Sequence, residues 1–477
     1  MAAVLTLACA LVAAPVFGQG GTSSATLSGV VTDKDGGIVP GATVVVTKVA
    51  TGEKLPTQVS NASGAYSFPG LAPGSYKIAI SLQGFKTSEI SATLTAGSNN
   101  QLSTRLEIGQ VTEVVNVVGG TDLVRTDTPT VTQSVQANFI QTLPRSDRNA
   151  LNFLIFLPGV TTVGGAGSAR NNTTIAGLPN NQFNITIDGV TNSNLLQSTD
   201  GFFTMVTPRL DAVEEVSLTS SSAGVDASGQ GAVQMRFVTR SGTNKFEISL
   251  YEFMQHANFN SNTFFNRLNA LPVPMATNHT YGGRIGGPII LPGFDGRGRA
   301  FFFFNEEEVY GPIETSRTRT IIRQSALNGD FTYGTVQPFT TRNVLALAAA
   351  NGQVSVYDPT VKKLLDDIRA AAPTTGSVAE VDATPNTGSF NWLVANKTVR
   401  HTPTTNITMN LTPKNRLQGS YYWQRFSNAP DTLNNVDAAF PGFPAFADQT
   451  SYRTTGSISL RSTMSTAMVN EVRGGWA

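Results

Sequence analysis

Ile407-Thr408-Met409-Asn410-Leu411-Thr412-Pro413-Lys414-Asn415-Arg416-Leu417-Gln418-Gly419-Ser420-Tyr421-Tyr422-Trp423 is the stretch whose reading decides the fold. Ile407, Met409 and Leu411 alternate with polar residues, Pro413-Lys414-Asn415 makes a turn, and Leu417, Gly419, Tyr421 and Trp423 resume the period on the return. Side chains alternate across a strand, so this is a hairpin with one apolar face and one polar face. In a membrane barrel the apolar set faces lipid, the intervening polar set faces the lumen, and Tyr421 or Trp423 suits an interfacial girdle. A soluble jelly roll or propeller uses the same alternation.

The pattern extends outward from that hairpin. From Lys245 the period is two: Phe246, Ile248 and Leu250 alternate with Glu247, Ser249 and Tyr251. Met468 to Trp476 is a further strand-like segment at the end of the chain. Between the strands lie two longer excursions, Asn258 to Asn278 with Phe259, Phe264, Phe265 and Pro272, and residues 323 to 390, rich in Thr, Ala, Gly and Pro. Short turns alternating with long loops are the habit of outer-membrane barrels. No apolar run beyond the N-terminal one reaches the roughly 20 residues a membrane helix needs. A closed barrel is the remaining way to cross lipid, because unpaired backbone amides are too costly there.

Charge narrows the function. Lys plus Arg is 33 against 32 Asp plus Glu, a net charge of +1 with no basic cluster, so nothing favours a nucleic-acid partner. The N-terminus, Met1 to Gln19, reads as an export signal: Leu5 to Ala14 is almost unbrokenly apolar, followed by Pro15 and small residues, though no Lys or Arg precedes it. The single cysteine, Cys9, lies in that run, so the processed chain is expected to hold no disulfide or thiolate metal site.

Residues 24 to 108 read as a β-sandwich. Leu27–Val31 and Ala42–Val49 are strand-like, Asp35-Gly36-Gly37 and Pro40-Gly41 punctuate them, and Tyr76, Ile78 and Ile80 share an apolar face. Beyond a linker at 109–130, Ala150 to Leu157 is helix-like after Ser146-Asp147-Arg148-Asn149, and Ile185 and Ile187 alternate with Asn184, Thr186 and Asp188 before the Asp188-Gly189 turn.

Taken together these motifs resemble known families. Gly29-Val30-Val31-Thr32-Asp33, Ile38-Val39-Pro40-Gly41-Ala42-Thr43-Val44, Gly64-Ala65-Tyr66-Ser67-Phe68 and Leu71-Ala72-Pro73-Gly74-Ser75-Tyr76 resemble the carboxypeptidase regulatory-like module, an accessory sandwich with a carbohydrate-binding-like fold and no peptidase activity. Asn184-Ile185-Thr186-Ile187-Asp188-Gly189-Val190, Leu210 to Val216 and Ser222 to Gly231 are similar to the plug of TonB-dependent outer-membrane receptors. Tyr281-Gly282-Gly283-Arg284-Ile285-Gly286-Gly287-Pro288 and Arg299-Ala300-Phe301-Phe302-Phe303 resemble the opening barrel hairpin of the Oar-like branch.

The resemblance implies a mainly β chain: signal peptide at 1–19, Ig-like or prealbumin-like sandwich at 24–108, linker at 109–130, α/β plug at 131–243 and part of a transmembrane antiparallel barrel at 244–477. It implies a TonB-coupling segment at Thr112, Glu113, Val114, Val115, Asn116 and Val117, otherwise readable as a linker or last sandwich strand. It also implies plug-motif roles for Arg170, Asp188, Gly189, Asp211, Glu214, Gly229 and Gly231, with Asp211, Glu214 and Glu215 set against arginines of the barrel or on a solvated face. Phe259, Phe264, Phe265 and Tyr281 are expected ligand contacts, with loop packing the plainer role.

Receptors of this kind close about 22 strands, whereas about seven or eight are readable after residue 244, so the chain is expected to be a C-terminally truncated fragment with an open sheet partly embracing the plug. The expected activity is recognition or uptake of a bulky oligosaccharide, peptide or chelate, energised by periplasmic TonB, in outer-membrane lipid, with no cofactor. The alternative is a secreted or surface-anchored carbohydrate-binding or adhesion protein. An enzyme is not expected: His256, His279 and His401 are far apart in sequence, and no nucleophile arrangement or metal set is recognisable.

Overall fold

The computed structural model describes residues 24–109, 114–118, 131–136, 148–162, 173–179, 182–193, 204–221, 233–334, 339–381, 383–465 and 468–477. The expected leader, Thr112, Glu113, Arg170, Gly229 and Gly231 lie outside them.

Nine strands build the first domain: β1 (Ala25–Asp33), β2 (Thr43–Lys48), β3 (Gln58–Val59), β4 (Ala65–Leu71), β5 (Gly74–Ser81), β6 (Thr87–Leu94), β7 (Asn99–Gln101), β8 (Thr104–Leu106) and β9 (Val114–Val118). One sheet runs β4-β1-β7 with β8 also on β1; the other runs β3-β2-β5-β6-β9. Burial alternates along β1, β2, β5 and β6, as for strands with one covered face. Leu27, Val44, Tyr76, Ile78, Ile80 and Leu94 fill the gap between the sheets, each worth about 1.5–3 kcal/mol when fully buried. The buried tyrosines are satisfied: Tyr66 donates to the Leu102 carbonyl and Tyr76 to that of Ala72, both at 2.6 Å. Asp33 Oδ1 accepts from the amides of Asp35 (2.9 Å) and Gly37 (2.8 Å), so it serves the turn.

The middle domain contains β10 (Val131–Gln136), β11 (Val160–Thr162), β12 (Thr173–Ile175), β13 (Leu178–Pro179), β14 (Phe183–Ile187), β15 (Val190–Thr191), β16 (Val213–Ser221) and β17 (Val233–Thr239). Its main sheet is β10-β16-β17-β14-β15, with β14 parallel to β17. The helix-like stretch at Ala150 is a 3-10 helix, Ala150–Phe156, N-capped by Asn149, which accepts from the Leu151 amide. The polar residues of β14 are not solvent-facing as alternation suggests. All five residues are buried, and Asn184 is satisfied by donating to Gln234 Oε1 at 2.9 Å.

The third region supplies β18 (Glu247–Gln255), β19 (Asn278–Pro288), the short β20 (Ile290–Leu291) and β21 (Phe294–Asp295), β22 (Ala300–Ile322), β23 (Asp330–Tyr333), β24 (Thr340–Asn343), β25 (Gly376–Ala379), β26 (Thr387–His401), β27 (Thr404–Thr412), β28 (Asn415–Ala429), β29 (Gln449–Thr463) and β30 (Val469–Trp476). The large sheet runs β18-β19-β22-β26-β28-β29-β30, with β25 on β26 and β27 between β22 and β28. β26 and β27 are both antiparallel to β22 and follow one another along its edge, one continuing the other past Pro403. Among the described residues this row does not close: β18 and β30 are its two ends.

Polarity is inverted in this wall. Asn406 and Thr408 are buried toward the middle domain, while Ile407 (42%), Leu411 (51%) and Ile458 (55%) are exposed on the other face. Wall residues Phe303 and Tyr422 join the middle domain's core. The 23 residues of β22 span about 75 Å at ~3.3 Å each, far beyond the roughly 9–11 residues that cross a bilayer. The excursion at 323–390 leaves the end of β22 and rejoins the wall as β26 from Thr387. It carries the helix Pro359–Thr375, whose Ile368 and Ala372 pack on Phe390 and Trp392.

Candidate functional site

Two short helices in the middle domain are bound to each other: the Ala150 amide donates to the Pro208 carbonyl (3.0 Å) and that of Leu210 to the Arg148 carbonyl (3.2 Å). Arg148 precedes the first helix, Arg209 caps the second, and Asp211 lies inside it. The pairing therefore gathers Arg148, Arg209 and Asp211 against the wall.

The wall answers with Glu307 from β22, Arg284 from β19 and Tyr251 from β18. Arg148 Nε donates to Glu307 at 2.8 Å and its Nη2 pairs with Asp211. Arg209 pairs with the other Glu307 oxygen, and Arg284 reaches Asp211 at 3.3 Å. Tyr251 donates its hydroxyl to Glu307 at 2.8 Å, and the Arg148 guanidinium lies 4.3 Å from the centre of its ring. Tyr251 reaches across β19 because its register partner there is Gly282, itself opposite Glu307. A Cβ on Gly282 would sit 2.6 Å from the tyrosine oxygen and 2.5 Å from the Glu306 carbonyl.

Glu307 is fully buried. A carboxylate so placed is tolerable only when paired and hydrogen-bonded, and losing one partner of such a pair costs about 3–5 kcal/mol. Burial alone would lower the Arg148 pKa, but Glu307 and Asp211 outweigh it and hold it above its ordinary value. The network is a lock made of charge across the seam.

A second set of contacts lies along the same seam. The Asp188 carboxylate accepts from the Thr239 amide at 2.9 Å and from its hydroxyl, which also meets the Tyr422 hydroxyl at 2.7 Å. Asp188 holds this position at φ 48°, followed by Gly189 at φ 81°, the turn expected of Asp-Gly. The Thr207 amide donates to Gln424 of the wall at 3.0 Å.

The sandwich docks on the short-turn side of the wall. Glu215, buried, accepts from the Ala96 amide at 3.0 and 3.2 Å. Arg461 donates to the Gly70 carbonyl, Asn244 to that of Thr51, and Arg416 lies 3.7 Å from Glu53. Lys48 is buried in this junction; desolvation, with Arg416 nearby, lowers its pKa to about 8 despite Glu53 and Glu214.

The expected site residues thus separate into groups. Asp211 enters the wall network, whereas Glu214 is exposed and pairs with Arg240 at 3.5 Å. Val114 to Val117 lie in β9, running parallel to β6. Phe259, Phe264 and Phe265 are exposed in the connection between β18 and β19. Tyr281 is within β19, opposite Glu308, on the wall face away from Glu307. Sequence reasoning missed Arg209, Glu307 and Tyr251. The available signal was Glu306-Glu307-Glu308 inside a strand, whose alternation sends the middle carboxylate to the opposite face from its neighbours. Among the described residues no group of three or more His, Cys, Asp or Glu could hold a metal, and no helix is long and apolar enough to cross a membrane, which says nothing of strands.

Three family models match the chain: a carboxypeptidase regulatory-like domain over residues 26–107, a TonB-dependent receptor plug domain over 124–234 and an outer membrane beta barrel domain over 238–477. No curated protein matches. Similar solved structures include a mutant ferric enterobactin receptor from Pseudomonas aeruginosa with enterobactin (12% identity, 71% of this chain and 39% of that one, TM-score 0.38). The outer membrane transporter YddB from Escherichia coli is another (11%, 70% and 37%, TM-score 0.41), as is P. aeruginosa FpvA bound to heterologous pyoverdines (11%, 74% and 34%, TM-score 0.40). The chain spans about two fifths or less of the length of these structures.

Proposed function

Because the chain belongs to the outer membrane beta barrel domain family and carries a TonB-dependent receptor plug ahead of that domain, we propose that it is the plug-bearing part of an outer-membrane receptor that takes up or recognises a bulky external ligand. The observation that carries this reading is the arginine–carboxylate network between plug and wall. A plug held by a few buried charges, with only Phe303 and Tyr422 of the wall joining its apolar core, can be moved without unfolding the wall. In this reading the exposed apolar face of the wall meets outer-membrane lipid, Met1 to Gln19 is removed on export, and Val114 to Val117 belong to the segment offered to periplasmic TonB. The long-loop end, with Phe259, Phe264 and Phe265, then faces outward toward an oligosaccharide, peptide or chelate.

The test is binding of the periplasmic domain of TonB to the full chain in detergent, with Val115→Pro and Val117→Pro as comparison. Binding that both prolines abolish is the expected result, since each removes a backbone donor from the strand. No binding by the unaltered chain, or binding indifferent to the prolines, contradicts the coupling assignment.

A further inference from the structure

The second sandwich sheet ends in β9, and its position there has a consequence. β9 pairs in parallel with β6 from Thr87 opposite Val114 to Ser91 opposite Val118. Among the described residues no strand follows on its other side in the sheet order. The segment read as the coupling strand is thus already extended and held, with one edge joined to the sandwich and the other at the end of the described sheet. An outer edge of this kind accepts a further strand by backbone pairing, and an ordered strand does not bear the ordering cost of a loose one.

The far end of β6 leads directly to the plug. β6 ends at Leu94, and the next turn is Thr95 to Ser98, closed by Ser98 donating to the Thr95 carbonyl at 3.2 Å. Within it, the Ala96 amide donates to both oxygens of the buried Glu215 carboxylate. Glu215 stands on β16, opposite Gln136 of β10, the strand by which the chain enters the plug sheet. One sheet therefore connects the coupling strand to the middle of the plug without passing through residues 119–130.

We propose that the sandwich is the presenting and load-bearing element of the coupling step: a periplasmic partner with a free sheet edge adds its strand to the outer edge of β9 while β9 stays on β6, and the pull passes through β6 and Ala96 to Glu215. The proposal rests on the assignment of Val114 to Val117 as the coupling segment. It differs from capture of a loose tether, in which β9 would leave the sandwich before it could be bound.

Locking β9 in place separates the two. Glu89, on the sheet surface where it pairs with Lys77 at 2.6 Å, is the register partner of Asn116. The pair Glu89→Cys and Asn116→Cys supplies a disulfide in a chain whose single cysteine, Cys9, lies in the leader. The oxidised full chain is expected to bind the periplasmic domain of TonB within about twofold of the reduced form. A loss of about tenfold or more on oxidation, roughly 1.4 kcal/mol, overturns the proposal while leaving the coupling assignment standing. Binding in neither form, with the unaltered chain also silent, overturns both. Hydrogen exchange on the unaltered chain gives an independent reading: Val114–Val118 should gain protection when the domain is added while Thr87–Leu94 keep theirs. Loss of protection along Thr87–Leu94 contradicts the proposal even if the disulfide fails to form.

Discussion

Where the plug meets the wall, the buried ion pairs join side chain to side chain; where the sandwich docks on plug and wall, charged side chains also meet backbone groups. Arg148, Arg209 and Arg284 meet Asp211 and Glu307 on the wall side, with the Tyr251 hydroxyl as a neutral donor to Glu307. On the sandwich side a charged group commonly meets a main-chain one: Glu215 takes the Ala96 amide, and wall residue Arg461 takes the Gly70 carbonyl. Buried charge pairs are costly to break singly and sensitive to which partner is lost. Contacts to backbone groups depend on turn geometry and tolerate change of the turn's side chains. The wall side should therefore fail abruptly under point substitution, and the sandwich side by degrees.

The largest effect is expected from Glu307→Ala, which leaves Arg148 and Arg209 buried without their shared carboxylate. A loss of about 3–5 kcal/mol is expected, read as lost amide protection in Ala150–Phe156 and Leu210–Ala212 with the sandwich strands unchanged. Protection lost equally in the sandwich would erase the contrast. Gly282→Val comes next. Its Cβ displaces Tyr251 from Glu307 at about 1–3 kcal/mol, visible as a change in the ultraviolet absorption of the tyrosine; an unchanged spectrum and stability would count against the path across β19.

Lys48 gives a pH test of the sandwich side. Its folded pKa of about 8 lies below the ordinary 10.5, so the cost of burying its ammonium is fully present below pH 8 and is relieved as pH rises from there toward 10.5. Docking should strengthen across that window by up to a few kcal/mol in order of magnitude, measured as slower proteolytic release of the sandwich. Lys48→Met should be stronger at neutral pH and lack the dependence, whereas an identical pH profile in the variant would remove Lys48 as the cause. The smallest effect is expected for Asp33→Ala, which removes the carboxylate oxygen that accepts from two amides of an exposed turn and should cost about 1 kcal/mol, read as a modest fall in the sandwich's melting temperature. A collapse of the whole chain would show that this turn matters beyond its own hairpin.

What was legible in the sequence follows the range of the forces involved. The period of Ile407 to Trp423 announced an inverted wall, because alternation is a local property of the backbone. The sandwich was readable for the same reason, as were the Asp188-Gly189 turn and the buried Ile185 and Ile187. The lock was not: Arg148 and Glu307 are 159 positions apart, and the alternation that sets Glu307 on the opposite face from Glu306 and Glu308 does not say which face is covered or by what. The burial of Asn184 and Thr186 in β14 was not legible either, because their partners lie across the sheet. The excursion at 323–390 gave no sign of its helix Pro359–Thr375, whose place is set by packing of Ile368 and Ala372 on Phe390 and Trp392 of the wall.

A double-substitution cycle between Arg148→Met and Glu307→Gln, followed by hydrogen exchange at Leu210–Ala212, tests the central claim most directly. If charge across the seam holds the plug to the wall, the two changes together should cost less than their sum, with a coupling of about 1–3 kcal/mol. Strict additivity would mean that the plug is held by packing around Phe303 and Tyr422 instead, and would contradict the account.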